Sequence, residues 1–132
     1  MDLSRKTCAE HSFLCHSFYD KTYLGKMVDI KIDRPIGSVH PNHPNFTYPI
    51  NYGSILNVLG GDGEELDVYL LGVGVPIEEY FARIIGIIHR HNDVEDKLVA
   101  APEGIYFTKE EVAKAVDFQE QYFEYDIEMC SQ

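Results

Sequence analysis

The chain has 132 residues, of which 45% are hydrophobic, and this size and composition fit one globular domain with a single modest core. Its 11 basic and 22 acidic residues give a formal net charge of −11. Such acidity argues against a nucleic-acid-binding protein, because proteins of that class usually carry a basic patch. It fits a chain kept in solution by its charge, and equally a chain that holds cations and meets phosphate through them.

The sequence contains no apolar run long enough to cross a bilayer, and no basic stretch followed by an apolar one at its start. The three cysteines, Cys8, Cys15 and Cys130, cannot all pair and lack the spacing of a metal finger. Reduced thiols are the expected state. We therefore expect a single cytoplasmic domain over residues 1–132 with neither a membrane nor a nucleic acid as partner.

The first third of the chain predicts one helix, one strand and one loop. Apolar residues spaced three or four apart predict a helix over 4–24. Alternation of valine and isoleucine with charged residues predicts a half-buried strand over 27–33. Segment 34–47 contains three prolines and a glycine, so it is predicted to be a loop.

The middle of the chain predicts a meander of strands, with candidates at 48–58, 66–73, 81–89 and 96–101. A glycine-rich turn separates the first two candidates. The third contains a run of isoleucines without alternation, which predicts burial on both faces.

The end of the chain predicts a helix over 108–123, because Thr108 and Glu111 form a capping box ahead of apolar residues at helical spacing. Together these elements predict a mainly β (α+β) fold, namely a small OB-like closed antiparallel β-barrel with flanking helices.

Acidic residues cluster at two places. Asp62, Glu64 and Asp67 stand at positions i, i+2 and i+5, directly before a predicted strand, and a second charged cluster occupies 92–97. Carboxylate oxygens are the ligands that hard cations prefer. Taken alone, each cluster is equally well interpreted as a charged turn exposed to solvent.

Three segments in order carry a resemblance to a known family: Tyr-Pro-Ile-Asn-Tyr-Gly at 48–53, Asp-Gly-Glu-Glu-Leu-Asp at 62–67, and the charged turn that ends in Asp96-Lys97-Leu98. They resemble the active-site strands of the family I (soluble, Mg-dependent) inorganic pyrophosphatases, which read YPxNYG, DGDPxD and an acid-rich turn ending in D-x-K-L. The resemblance covers 48–101 well and 28–123 loosely. It implies an enzyme that hydrolyses inorganic pyrophosphate or a related diphosphate, with Mg²⁺ or Mn²⁺ as cofactor. We expect a homo-oligomer.

The resemblance also implies roles for individual residues. Asp62 and Asp67 take metal-binding positions, as does Glu95 or Asp96, while Asn92 or Asp93 corresponds to the other acid of that turn. The resemblance assigns Glu64 as general base or as the residue that orients the attacking water. It assigns phosphate contacts to Arg34, Tyr52, Lys97 and Tyr122.

Several residues depart from the family pattern. Glu64 stands where the family has the shorter aspartate, and Phe123 stands where the family has a phosphate-binding lysine. Arg34 lies farther ahead of Tyr48 than the pattern expects. Residues 1–27 do not match the family's early strands.

Four of the six histidines form two close pairs, His40 with His43 and His89 with His91. Each pair could hold Zn²⁺ or another borderline metal. Each could also supply hydrogen bonds to phosphate in place of the lysine lost at position 123. The third interpretation, exposed loop and edge-strand histidines, is the commoner one.

Three functions from different classes follow. The first is a divergent Mg²⁺-dependent diphosphate hydrolase. The second is a non-catalytic or weakly active module that binds metal and phosphate on the same barrel. The third is an assembly or regulatory protein in which the acidic cluster only caps a turn. Likeness of fold alone does not decide among them.

Overall fold

The computed structural model describes residues 23–59, 65–91 and 96–130. Its elements in chain order are β1 (Met27–Arg34), β2 (Val39–His40), β3 (His43–Thr47), β4 (Asn51–Leu59), β5 (Glu65–Leu70), β6 (Glu79–Arg90), β7 (Lys97–Ala101), a helix α1 (Lys109–Glu120) and β8 (Tyr125–Met129). The helix predicted over 4–24 lies outside the described residues, except for 23–24, which belong to a turn. No described helix has the length and apolar character needed to span a membrane.

Five strands close a barrel in the order β1-β4-β5-β7-β6, and β6 pairs back to β1 to complete the ring. Strand β8 adds to the outer side of β6. The small closed barrel expected from the sequence is confirmed. One pairing corrects the antiparallel expectation, because β5 and β7 run parallel through Val68 beside Leu98. The antiparallel strand β6 stands between them in the chain, so the two strands enter the sheet in the same direction.

Two apolar clusters lie on the two faces of these strands. The barrel interior holds branched aliphatic side chains, among them Ile30, Val68, Leu70, Ile84, Ile87 and Leu98, all fully buried. The outer face of β5, β6 and β7 packs on α1 through Tyr69, Ile85, Ile88, Val99, Val112 and Val116. Strand β6 is thus covered on both faces, which confirms the interpretation of its isoleucine run.

Helix α1 begins at the capping box that the sequence predicts. The Glu111 backbone N–H donates to Thr108 Oγ1 at 3.1 Å, and the Thr108 N–H donates to Glu111 Oε1 at 2.8 Å. Each side chain satisfies a backbone donor that the first turn leaves without an intrahelical acceptor. Val112 and Val116, one turn apart, bury the inner face of the helix against the sheet.

Three strands were missed by the sequence patterns, namely β2, β3 and β8. The segment 34–47, predicted to be a loop, contains the hairpin β2–β3, in which Val39 pairs with Thr47. Its prolines are tolerated because the hairpin forms a separate two-stranded sheet, where both strands are edges. Strand β8 alternates Tyr125, Ile127 and Met129 with two acidic residues, a short strand pattern that the sequence analysis did not use, and it pairs with β6.

The segment Tyr-Pro-Ile-Asn-Tyr-Gly contains two residues that the fold requires, Asn51 and Gly53. Buried Asn51 accepts from the Ile36 N–H at 3.0 Å and donates to the Val73 and Val75 carbonyls at 3.3 and 3.0 Å. A Cβ atom at Gly53 would lie 1.8 Å from the Lys31 carbonyl oxygen, so β1 and β4 approach each other too closely for a side chain.

Candidate functional site

The parallel strands β5 and β7 bring an acid and a base together on the outer face of the barrel. Register pairs Val68 with Leu98, so Asp67 and Lys97, each one residue earlier, project to the same side. Lys97 Nζ donates to Asp67 Oδ2 at 2.5 Å, and the lysine side chain is only 6% exposed. An ammonium group can form charge-assisted hydrogen bonds to an anion.

The neighbouring strands add an aromatic hydroxyl and a guanidinium. Strand β4 sets Tyr52 opposite Tyr69 of β5, and β1 sets Arg34 opposite Tyr52. Lys97 Nζ lies 5.9 Å from the centre of the Tyr52 ring. The long separation of Arg34 from Tyr48 in the sequence therefore does not remove the arginine from the site, because the additional residues form the hairpin β2–β3.

These side chains line one open pocket of about 1100 Å³. Its floor is the outer face of the barrel, one wall is the hairpin β2–β3, and the opposite wall is the end of α1 with the residues that follow it. Among the polar and charged residues that line it are Asp33, Arg34, His40, His43, Tyr52, Asp67, Arg90, Lys97, Gln119 and Tyr122. The volume accommodates a small anion with its counter-ions.

Stacked aromatic rings fix the geometry of this floor. Tyr48 stacks on Tyr52 with ring centres 5.7 Å apart, and Tyr52 meets Tyr69 at 4.9 Å. Burial raises the pKa of the Tyr52 hydroxyl. Lys97 lowers this pKa and Asp67 raises it, each by less than burial does. Tyr52 is therefore protonated at neutral pH, and its hydroxyl can donate to a bound phosphate oxygen.

A buried ion pair lies beneath the pocket. Arg90 Nε and Nη2 donate to the two carboxylate oxygens of Glu120 at 2.9 and 2.6 Å, and the glutamate side chain is fully buried. Burial lowers the pKa of Arg90, but the Glu120 hydrogen bonds outweigh it and hold the pKa above its ordinary value. The Arg90 guanidinium also lies 3.7 Å from the centre of the Phe123 ring. A cation thus contacts the phenylalanine ring at position 123.

The ion pair continues into a chain of hydrogen bonds that ends at the pocket wall. Tyr69 donates its hydroxyl to Glu120 Oε2 at 2.6 Å and accepts from Gln119 Nε2 at 2.6 Å. Gln119 Oε1 in turn accepts from the Tyr48 hydroxyl at 3.4 Å. Since every member has a partner, this network fixes both the end of α1 and the aromatic floor.

The predicted site residues divide into three groups. The pocket contains Arg34, Tyr52, Asp67, Lys97 and Tyr122. Asp96, which directly precedes β7, is not among the lining residues, and its Oδ2 lies 3.1 Å from His89 Nδ1. The remaining predicted residues lie outside the described residues: Asp62, Glu64, Asn92, Asp93 and Glu95.

The second histidine pair has carboxylate partners instead of pocket contacts. His89 Nδ1 lies 3.1 Å from Asp96 Oδ2, and His89 Nε2 lies 2.9 Å from Glu128 Oε1. The hydrogen bond to Asp96, opposed by burial and assisted by Glu128, raises the pKa of His89 to about 9. His91 pairs separately with Asp126 at 2.7 Å.

Arg90 and Glu120 are site residues that the sequence patterns did not single out, since each reads as an ordinary surface charge. One available signal was the position of Arg90 at the end of a strand buried on both faces, where a charge needs a partner. The partner is 30 residues away in sequence, and only the packing of α1 on β6 identifies it.

Asp67 brings to the pocket a carboxylate, the type of ligand that hard divalent cations prefer. Within the described ranges, no group of three or more histidine, cysteine, aspartate or glutamate residues converges on one point. Asp67 contributes one carboxylate. The acidic stretches 62–64 and 92–95 lead directly into β5 and β7, which begin at the same edge because they run parallel. Oxygen donors of this kind suit Mg²⁺ or Mn²⁺.

The fold and the pocket define a class: a small closed barrel whose outer face presents a lysine, an arginine and a tyrosine beside a carboxylate, a set suited to an anion and its cations. The family model described as Inorganic pyrophosphatase matches residues 22–126. The chain therefore belongs to the inorganic pyrophosphatase family.

Individual relatives agree with this assignment. The inorganic pyrophosphatase of Neisseria meningitidis serogroup A is 44% identical over 64 residues, which cover 43% of this chain and 34% of that protein. The chain thus matches about a third of the length of this curated relative. Solved inorganic pyrophosphatases share the fold. That of Ehrlichia chaffeensis has a TM-score of 0.64 and 19% identity, and the match covers 81% of this chain and 88% of that chain. That of Thermus thermophilus has a TM-score of 0.59 and 17% identity, and the match covers 79% of this chain and 83% of that chain.

Proposed function

We propose that this chain hydrolyses inorganic pyrophosphate, or a related diphosphate, to phosphate. The observation that carries the proposal is the convergence of Asp67, Lys97, Tyr52 and Arg34 from four different strands on one pocket. Family membership and the names of the relatives support the same reaction.

The side chains of the pocket can divide the work of binding a diphosphate. Lys97 neutralises phosphate charge, Arg34 offers paired N–H donors that match phosphate oxygens, and the protonated Tyr52 hydroxyl donates a further hydrogen bond. Tyr122, 72% exposed at the rim, can close on a bound ligand as a second hydroxyl donor. In phosphoryl transfer, the protein contributes mainly by positioning the reacting groups and by stabilising their charge. These side chains would do both by holding the leaving phosphate in line.

Asp67 is the described ligand proposed for the cation, with Asp62, Glu95 or Asp96, and Asp93 as the further predicted ligands. Mg²⁺ at this position would supply charge neutralisation and water activation. Glu64 is the proposed base for the attacking water.

The decisive test is release of phosphate from pyrophosphate and from a panel of nucleotides in the presence of Mg²⁺. Asp67→Asn should abolish the activity, because an amide carries no charge to balance a cation. Asp29→Asn is the matched control, since Asp29 is exposed on β1 and does not line the pocket. If Asp67→Asn keeps the parent rate, or if no diphosphate is cleaved with any metal, the hydrolase proposal is wrong.

A second variant tests the proposed base. Glu64→Asp restores the family's shorter acid, and we expect it to hydrolyse pyrophosphate faster than the parent, because the carboxylate moves back by one carbon–carbon bond. A slower Glu64→Asp enzyme would show that this chain has adapted its site to glutamate.

The alternative function is a metal- and phosphate-binding module without turnover. The replacement of lysine by Phe123 beside a fully engaged Arg90–Glu120 pair favours it. Its signature would be a higher melting temperature with Mg²⁺ or Mn²⁺, because the cation binds only the folded state, together with no release of phosphate.

Three further features stay predictions: one domain over 1–132, a homo-oligomer, and a cytoplasmic location. Sedimentation of the purified chain would decide the oligomeric state.

A further inference from the structure

The hairpin β2–β3 places two imidazoles at the pocket. It forms a two-stranded sheet of its own and contributes no strand to the barrel. His40 and His43 both line the pocket that contains Arg34, with their ring centres 4.8 Å apart. The residues that separate Arg34 from Tyr48 beyond the family pattern are therefore the same residues that bring these side chains to the site.

The hydrogen bond at one ring nitrogen fixes the tautomer of His40. The Asn42 backbone N–H donates to His40 Nδ1 at 3.0 Å, so Nδ1 carries a lone pair and no proton. A neutral imidazole then has its proton on Nε2. Partial desolvation, followed by the nearby His43 and Arg34, lowers the pKa of His40, which keeps the ring neutral at physiological pH.

This arrangement argues against His40 as a metal ligand. A metal ligand needs a free lone pair, but in His40 one nitrogen accepts a hydrogen bond and the other carries the proton. The ring can instead donate from Nε2. Packing holds it in place, because it stacks on Tyr48 at 6.2 Å and contacts Phe46 at 5.3 Å between ring centres.

We propose that His40 is a further substrate-binding residue, whose Nε2–H donates a hydrogen bond to a phosphate oxygen at the hairpin wall of the pocket. This inference rests on the proposed function, since it assigns the donor to a diphosphate in the same pocket. The donor replaces a hydrogen bond of the lysine absent at position 123, but it does not replace the charge.

Three substitutions separate the hydrogen bond from the packing. His40→Phe keeps a stacking ring and lacks the donor. His40→Gln places an amide N–H near the position of Nε2, whereas His40→Asn places one nearer to Nδ1. The matched control is His91→Gln, because His91 is exposed, pairs with Asp126 and does not line the pocket.

The main measurement is the Kd for inorganic phosphate in the presence of Mg²⁺, by titration calorimetry, which needs no turnover. His40→Phe and His40→Asn should weaken binding about three- to tenfold, the range for one neutral hydrogen bond. His40→Gln and the His91 control should bind like the parent. The ratio of His40→Phe to parent should stay constant from pH 7 to 9, since a neutral donor does not titrate away.

The inference is overturned if His40→Phe binds phosphate as the parent does, if His40→Gln is as weak as His40→Phe, or if the parent binds no phosphate. Phosphate binding that depends on His40 without any hydrolysis of pyrophosphate would support the inference and refute the hydrolase. If His40→Phe does not fold, ¹⁵N spectra of the parent imidazoles serve instead. They should show the Nε2–H tautomer and a shift of the His40 Nε2 resonance on addition of phosphate, and an unshifted resonance overturns the inference.

Discussion

The buried pair Arg90–Glu120 permits a quantitative test of what stabilises the base of the pocket. We expect Glu120→Gln to lower the free energy of unfolding by about 3–5 kcal/mol, the usual cost of breaking a buried ion pair. The structure explains the size of the effect. Glu120 is fully buried and accepts three hydrogen bonds, two from Arg90 and one from the Tyr69 hydroxyl. A neutral amide can accept only part of this set, and its NH₂ group would face the N–H donors of Arg90.

The chain provides a matched control. Arg83 and Glu103 form a surface pair at 3.4 Å in which the glutamate side chain is 68% exposed. Glu103→Gln should change the free energy of unfolding by less than about 1 kcal/mol, because water screens an exposed pair. Urea titrations followed by circular dichroism give both values under one protocol.

A double variant completes the cycle. Arg90→Met with Glu120→Met removes both charges and keeps similar volume, so it should cost less than Glu120→Gln alone, about 1–2 kcal/mol, mostly from the Tyr69 hydroxyl losing its acceptor. If Glu120→Gln costs no more than Glu103→Gln, or if the double variant is the least stable of all, the assignment of this pair as a coupled buried unit is wrong.

Three smaller predictions concern other elements. Thr108→Ala should destabilise the protein by about 1 kcal/mol through loss of the helix cap, measured by urea unfolding. Gly53→Ala should prevent normal folding, because the added Cβ would overlap the backbone of β1. A folded variant as stable as the parent would contradict the close approach of β1 and β4 at this position. His89 has a pKa raised to about 9 from an ordinary 6.5 by Asp96, against burial, and by Glu128. The contribution of protonated His89 to the free energy of unfolding is therefore fully present below about pH 6.5 and is lost as pH rises through about 9. The urea midpoint of the parent should fall over this pH range, and the fall should be smaller in His89→Gln.

The sequence predicted those features that depend on local pattern. These are the capping box at Thr108, the isoleucine run of β6 and the alternation of β1. Each depends only on residues that are close in sequence. The motif segments also predicted that Asp67, Lys97 and Tyr52 share a site. Their strands are adjacent in the barrel, so a short motif in each is enough to define one pocket.

What could not be predicted depends on pairings distant in sequence. The parallel partnership of β5 with β7 is set by the closure of the barrel, and neither strand carries a pattern that distinguishes it from an antiparallel one. The hairpin β2–β3 was hidden because its prolines indicate a loop. The contact of Asp96 with His89 also joins residues that no sequence pattern links, and the assignment of Asp96 as a metal ligand stays a prediction.

The pairing of β1 with β6 has a consequence for how the chain assembles. Met27 meets Arg83 and Lys31 meets Glu79, so the ring is joined by partners roughly fifty residues apart. Until β6 and β7 have been synthesised, β1, β4 and β5 can form no more than an open sheet with unsatisfied edges. Ring closure must therefore be a late step in folding. Because it brings together strands distant in sequence, it costs chain entropy, and the domain should fold slowly for its size. A nascent chain halted before β6 would expose an edge open to pairing with other chains.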